Sequence, residues 1–139
     1  MKNKALLLSL KPRFADAIFS GEKRFELRRV KPKLTLGDLV LVYVTAPRSQ
    51  LEGAFEVSEV FELELKALWS LVSKSCALSK AEFLQYYEGK EIGYAVGIKR
   101  AWQMESSVGL DQLRAEQILP PQGYRYLSRQ EVSCLLSNE

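Results

Sequence analysis

The first thirty residues leave this chain few folds to choose from. Residues 4–10 (KALLLSL) form a short apolar run that reads as a buried strand. Pro12 closes it, since proline cannot continue a ladder but suits the first turn of a helix. Within residues 12–20, Phe14, Ala17 and Ile18 recur at i, i+3, i+4 on one face, and Gly21 supplies the left-handed stop that ends helices. From residue 24 to 30 the period changes to two, with Phe25 and Leu27 pointing one way and Arg24, Glu26 and Arg28 the other, an exposed face. Strand, helix, glycine turn and half-buried strand follow one another without a spacer.

The rest of the pattern extends this start. Residues 31–38 (KPKLTLGD) read as a connection, 39–45 as a central strand broken by Ala46-Pro47-Arg48, and 51–62 as a further strand in which Gly53 marks a bulge or close approach. Two helices are predicted at 64–73 and 79–88, the second opened by a capping box of Ser79 and Glu82 and closed by Gly89. A long strand at 92–102, a short polar loop, a weak helix near 110–116, an extended QGYRYL segment and a terminal helix opened by Ser128 and Glu131 complete the chain. No repeat or linker divides it, so residues 1–139 are expected to form one domain. Strands with helices inserted between hairpins lack a regular strand-helix rhythm. The expected class is α+β, a mixed, mainly antiparallel sheet or small barrel.

Composition narrows the chemistry. There is no histidine, which removes the usual general base, the Ser-His-Asp and Cys-His arrangements and the commonest zinc ligand. The two cysteines, Cys76 and Cys134, are too few for a disulfide framework or a four-cysteine zinc site and are expected as buried thiols. No carboxylate cluster suited to magnesium lies near the basic segment, so neither a metal nor a cofactor is expected. No apolar run approaches the roughly 18 residues of a membrane span, and the five apolar residues near the start lack a cleavage site, so a cytoplasmic protein is expected. Ten basic against three acidic side chains in residues 1–33 give +7, so a total of +3 leaves −4 for the remainder. Such an imbalance suits a surface that meets a polyanion; the alternative is a solvated basic face without a partner.

Residues 21–29 (GEKRFELRR) carry the most chemistry. A glycine turn delivers Lys23 to the mouth of a strand that then presents Glu26 and Arg28. Arginine makes two-pronged contacts with phosphate or a base edge, and glutamate accepts a hydrogen bond or a proton. Lys11 and Arg13, at the start of the first helix, add positive charge where a helix N-terminus already favours an anion. The plain alternative is a surface Lys-Glu-Arg ladder of little energetic consequence.

These residues resemble the ASCH (activating signal cointegrator homology) family, whose fold is a PUA-like β-barrel. The likeness begins with SLKPRFADAIFSGEKRFELRR, carrying a Gly-x-Lys-x-x-Glu/Thr-x-Arg signature at Gly21, Lys23, Glu26 and Arg28, and continues through GDLVLVYVTAP, LEGAFEVSEV, ALSKAEFLQYYEGKEIGYAVGI and PPQGYRYL. The closest branch is the one often labelled predicted transcriptional regulators. The resemblance implies a cleft beside the barrel that binds RNA, another single-stranded nucleic acid or a modified nucleoside, lined by the signature. Family members include nucleic-acid binders, single-strand ribonucleases and an amidohydrolase branch acting on 4-acetylcytidine. That branch has threonine where this chain has Glu26, and a glutamate before its second helix where residues 73–76 here have no carboxylate.

The implied binding surface takes in Lys11, Arg13, Arg24 and Arg29. By the same resemblance the strand end bearing Tyr43 and Thr45, with Arg48 just beyond, faces the cleft. Gln122, Tyr124 and Tyr126 are placed to read and stack a base, as single strands are commonly held, the alternative for one of the two tyrosines, which share a strand face, being core packing. Trp69 and Trp102 read as core, and at most one of Tyr86 and Tyr87 can face a cleft. If the site is catalytic, Glu26 acts as base, Lys23 as acid, and Arg28 stabilises developing negative charge. The readings left open are an RNA or modified-nucleoside binding module, a metal-independent ribonuclease or amidohydrolase on acetylated cytidine, and a protein-interaction or transcription coregulator module. The oligomeric state is left open too.

Overall fold

A computed structural model of the chain describes residues 3–137. Its elements run β1 (Ala5–Leu10), α1 (Pro12–Ser20), β2 (Phe25–Arg28), β3 (Leu39–Val44), β4 (Gln50–Glu64), α2 (Leu65–Val72), α3 (Lys80–Tyr86), β5 (Ile92–Gly109), α4 (Leu110–Ala115), β6 (Tyr124–Leu127) and α5 (Arg129–Leu136). The strands form one sheet in the order β2-β5-β4-β3-β1-β6, in which β1 and β3 are parallel and every other neighbouring pair is antiparallel. The expected α+β class and mainly antiparallel sheet with inserted helices are found.

Period-two alternation gives the sheet two buried faces. Leu6, Leu8 and Leu10 of β1, Val40, Val42 and Val44 of β3, and Phe55, Val57 and Val96 share the inner core with Ala15 and Ile18 of α1. On the opposite face Leu7, Leu41, Tyr43 and Leu51 meet Leu113 and Leu135 of α4 and α5. Farther along, Leu27 and Ala95 are covered by Leu68 and Val72 of α2 and by Phe83 and Tyr87, from α3 and its C-cap. β3 (LVLVYV) is therefore apolar throughout, as a strand covered on both sides must be.

The expected barrel does not close. Among the described residues β2 and β6 each pair with a single neighbour and lie at the two ends of the sheet. Both are only four residues long. They approach through side chains instead, the Arg28 guanidinium lying 5.3 Å over the Tyr124 ring. The gap left between the edges is where the charged residues of β2 collect. A second difference concerns the polar stretch after Trp102, expected as a loop, which continues β5 to Gly109 by pairing Gln103 with Gly53 and Val108 with Leu51. Bulges there disturb the alternation that marks a strand in sequence. Gly53 is required at its crossing, since a Cβ would lie 2.3 Å from the Trp102 carbonyl oxygen and within 2.7 Å of the Phe19 ring.

Candidate functional site

The site is assembled by the turn between α1 and β2. Gly21 adopts φ 86° and its N–H donates to the Ile18 carbonyl, ending α1. The N–H of Lys23 then donates to the Ala17 carbonyl, while those of Arg24 and Phe25 donate to the Ser75 carbonyl in the segment between α2 and α3. The start of β2 is thus clamped from both sides. Lys23, expected at an exposed mouth, is only 3% exposed, and Glu26 only 7%. The polar side of β2 is the inward side of the curled sheet, and its apolar side, Phe25 and Leu27, packs under α2 and α3.

Three charges meet there. The Lys23 Nζ lies 3.4 Å from the Glu26 Oε1, and the Arg28 Nη1 lies 3.6 Å from Oε2. Lys23 also donates to the Cys76 carbonyl at 3.1 Å, with its ammonium 5.3 Å above the Phe14 ring. A buried carboxylate is tolerable only with such partners, because removing it from water costs several kcal/mol, or about that order, when uncompensated. Arg28 retains 23% side-chain exposure and so joins the buried pair to solvent.

These groups line a cavity of about 420 Å³, within the size range of small-ligand sites. Ser9 and Leu10 from the end of β1, Lys11 and Phe14 from the start of α1, and Leu78, Glu82, Gln85 and Tyr86 from α3 and the segment before it form its other walls. Tyr86 faces the cavity and donates from its hydroxyl to the Leu27 carbonyl at 3.1 Å, while Tyr87 is buried. Burial raises the Tyr86 pKa, with the nearby Arg28 acting against it. Ser9, Phe14, Leu78, Glu82 and Gln85 are not predicted as site residues by the sequence, where Phe14 reads only as part of an apolar helix face and Glu82 only as a capping residue. They come from three separate segments, and helical phase on α3 was the one signal that separates Tyr86 from Tyr87.

The remaining predicted residues are dispersed. Lys11 is at the cavity and exposed. Arg13 is held outside it, donating to both Glu82 oxygens at 2.7 and 3.0 Å and to the Ala77 carbonyl. This draws the Glu82 pKa down to about 2, helped by the Ser79 N–H. Arg24 and Arg29 are exposed and do not line the cavity; Arg29 donates to the Glu88 carbonyl. Tyr43 is buried in the core on the opposite face, and Thr45 sits in the turn after β3. Arg48 forms two-pronged contacts with Asp16 at 2.8 and 3.0 Å and is bound by Glu52, which Gln50 also contacts. Those contacts hold both carboxylates below their usual range and Arg48 above its own. Gln122 is exposed, and Tyr124 lies beneath Arg28 at the sheet gap. Trp69 and Trp102 are half-buried against the core. Among the described residues no group of three or more Cys, Asp or Glu is arranged to hold a metal, and no helix is long and apolar enough to cross a membrane.

Fold and site together define a class: α+β domains in which a curled, open sheet keeps a charged cavity on its inner side, between the first helix and an edge strand. Within that class the chain belongs to the ASCH domain family, whose model matches residues 8–116. It is 32% identical over 136 residues to an ASCH domain-containing ribonuclease from Zymomonas mobilis, covering 96% of this chain and 91% of that protein. The crystal structure of ASCH from Zymomonas mobilis superposes with a TM-score of 0.91 at 30% identity, covering 98% of this chain and 96% of that one. A weaker match, 29% identical over 88% of this chain, is to the large ribosomal subunit protein uL22 of Ureaplasma parvum, of which it spans 39%.

Proposed function

We propose that this chain binds single-stranded RNA and seats one nucleoside unit in the cavity between β1, α1, β2 and α3. The observation that carries the reading is the Lys23–Glu26–Arg28 cluster, with Lys23 and Glu26 buried and Arg28 part-exposed, at the wall of a hollow of about 420 Å³. The two Glu26 oxygens accept from N–H donors, and the flanking Lys23 and Arg28 donate to a carbonyl, which together suit the edge of a base. Lys11 at the cavity is exposed and positively charged. The Zymomonas relative described as a ribonuclease supports RNA as the ligand.

Fluorescence anisotropy with a labelled eight-nucleotide RNA tests this. Binding is expected to weaken as salt rises, with a log–log slope of roughly −1 to −2 for two or three phosphate contacts. Arg28→Ala is expected to weaken it by about tenfold or more. No binding, or an affinity indifferent to salt, rejects the reading.

The same relative favours a second reading, cleavage. Glu26 takes the 2′-hydroxyl proton, O2′ attacks phosphorus, the P–O5′ bond breaks, and Lys23 supplies a proton to the departing 5′ oxygen, leaving a 2′,3′-cyclic phosphate. Incubation with RNA carrying a single 2′-deoxy residue separates the two: cleavage that skips that residue supports turnover, and intact RNA under saturating protein leaves binding alone. N4-acetylcytidine in a parallel incubation reads out the amidohydrolase alternative, which faces a carboxylate at position 26.

A further inference from the structure

We infer that the cavity reads the Watson–Crick edge of guanine, an assignment that rests on the RNA-binding reading and gives it a base. The basis is the order of groups along the Lys23–Glu26–Arg28 cluster. Lys23 Nζ is followed by Oε1 and Oε2 of Glu26 and then by Arg28 Nη1, the flanking gaps being 3.4 and 3.6 Å. The order is donor, acceptor, acceptor, donor. Both ion-pair distances exceed an ordinary hydrogen bond, and among the described residues no hydrogen bond to either Glu26 oxygen accompanies them. An ionised carboxylate has about four lone-pair sites, so the capacity to accept from a ligand remains.

Each base answers this array differently. Guanine presents two adjacent donors, N1–H and the 2-amino group, beside the acceptor O6. The two donors match the two oxygens of one carboxylate, and O6 takes a hydrogen from Lys23 or Arg28. Adenine and cytosine each set a ring-nitrogen acceptor beside a single amino group; that pair meets one carboxylate oxygen and the cation flanking it, and leaves the other oxygen without a donor. Uracil supplies one N–H between two carbonyls and likewise satisfies one oxygen only. The preference for guanine therefore comes from the carboxylate oxygen that the other bases leave unpaired in a partly buried place, where an unpaired polar group is expensive. Leu10, Phe14 and Tyr86 offer apolar and aromatic walls for a flat ring.

The test uses eight-nucleotide oligoadenylates in which one central position is G, inosine, U, C or A, titrated against the intact protein at one salt concentration. Guanine is expected to bind more tightly than adenine, cytosine or uracil by roughly 5- to 150-fold. Inosine, which lacks the 2-amino group, is expected to lose about tenfold against guanine. Glu26→Gln, which offers one donor and one acceptor, is expected to flatten the series, with folding checked by circular dichroism. The base series on the unaltered protein stands even if that variant does not fold. Equal affinity for all five RNAs, or inosine equal to guanine, overturns the guanine assignment while leaving RNA binding intact. Failure to bind any of them overturns the RNA reading itself.

Discussion

Lys23 is 3% exposed and lies between the Glu26 carboxylate, the Cys76 carbonyl and the Phe14 ring. A buried ion pair of this kind adds little net stability, but breaking it is severe, because the surviving charge stays buried without its partner. Lys23→Met is therefore expected to lower the unfolding free energy by about 3–5 kcal/mol in urea titrations. Pairing it with Glu26→Leu removes both charges and should recover much of that loss, giving a coupling of more than about 1 kcal/mol. A double variant whose loss equals the sum of the two single losses contradicts this account. The spacing of Gly21, Lys23, Glu26 and Arg28 was legible in the sequence, and so was their proximity. Their burial was not, because alternation along β2 says that two sides differ and not which side the sheet curls toward. Tyr43 carries the same ambiguity: its place beside Leu41 and Leu51 follows from the outer helices α4 and α5, which close over it from far along the chain.

At the scale of elements, α3 closes the cavity and is attached to α1 by Arg13 and Glu82. Glu82 also completes the capping box with Ser79, so one carboxylate serves both the helix start and its docking. Both capping boxes and the glycine stop of α1 were legible from residue identity, since each depends on a few neighbouring side chains. The final turns of β5 were not, because Met104 and Val108 are the buried residues of a stretch whose pairing is bulged. The Arg13 contact has a pH signature. The folded pKa of Glu82 lies at about 2, below the ordinary 4.5, so the stabilisation is complete above pH 4.5 and disappears as pH falls toward 2. In Arg13→Gln the folded value moves back toward 4.5, so stability should depend less steeply on pH across that window than in the parent protein. Asp16 and Glu52, held low by Arg48, contribute acid sensitivity to both proteins and drop out of the difference. Thermal unfolding from pH 5 to 2 checks this, and parallel curves for the two proteins count against it. High salt should shrink the difference, as the pair is exposed.

Across the whole molecule the open sheet determines where function can sit. A closed barrel would use the free edges of β2 and β6 in hydrogen bonding to each other; here they stop short, and Arg28 over Tyr124 spans the gap. The sequence displayed the strands but not this gap, since whether edges meet depends on accumulated twist and on the length of two four-residue strands. An edge held by one ladder and a guanidinium–aromatic contact should open without the rest of the molecule. Hydrogen exchange should therefore be faster in Tyr124–Leu127 than in Leu39–Val44, which is paired on both sides and buried on both faces. Tyr124→Leu removes the aromatic face under Arg28 and should speed exchange in β6 several-fold and in β3 much less, because Tyr124 packs against the inner core from its margin while β3 lies within it. If β6 and β3 exchange at one common rate in both proteins, the edges open only by global unfolding, and the gap is a rigid part of the sheet. If instead bound RNA slows exchange in β6 as well as β2, the RNA reaches past the cavity between β1, α1, β2 and α3 to the second edge of the sheet.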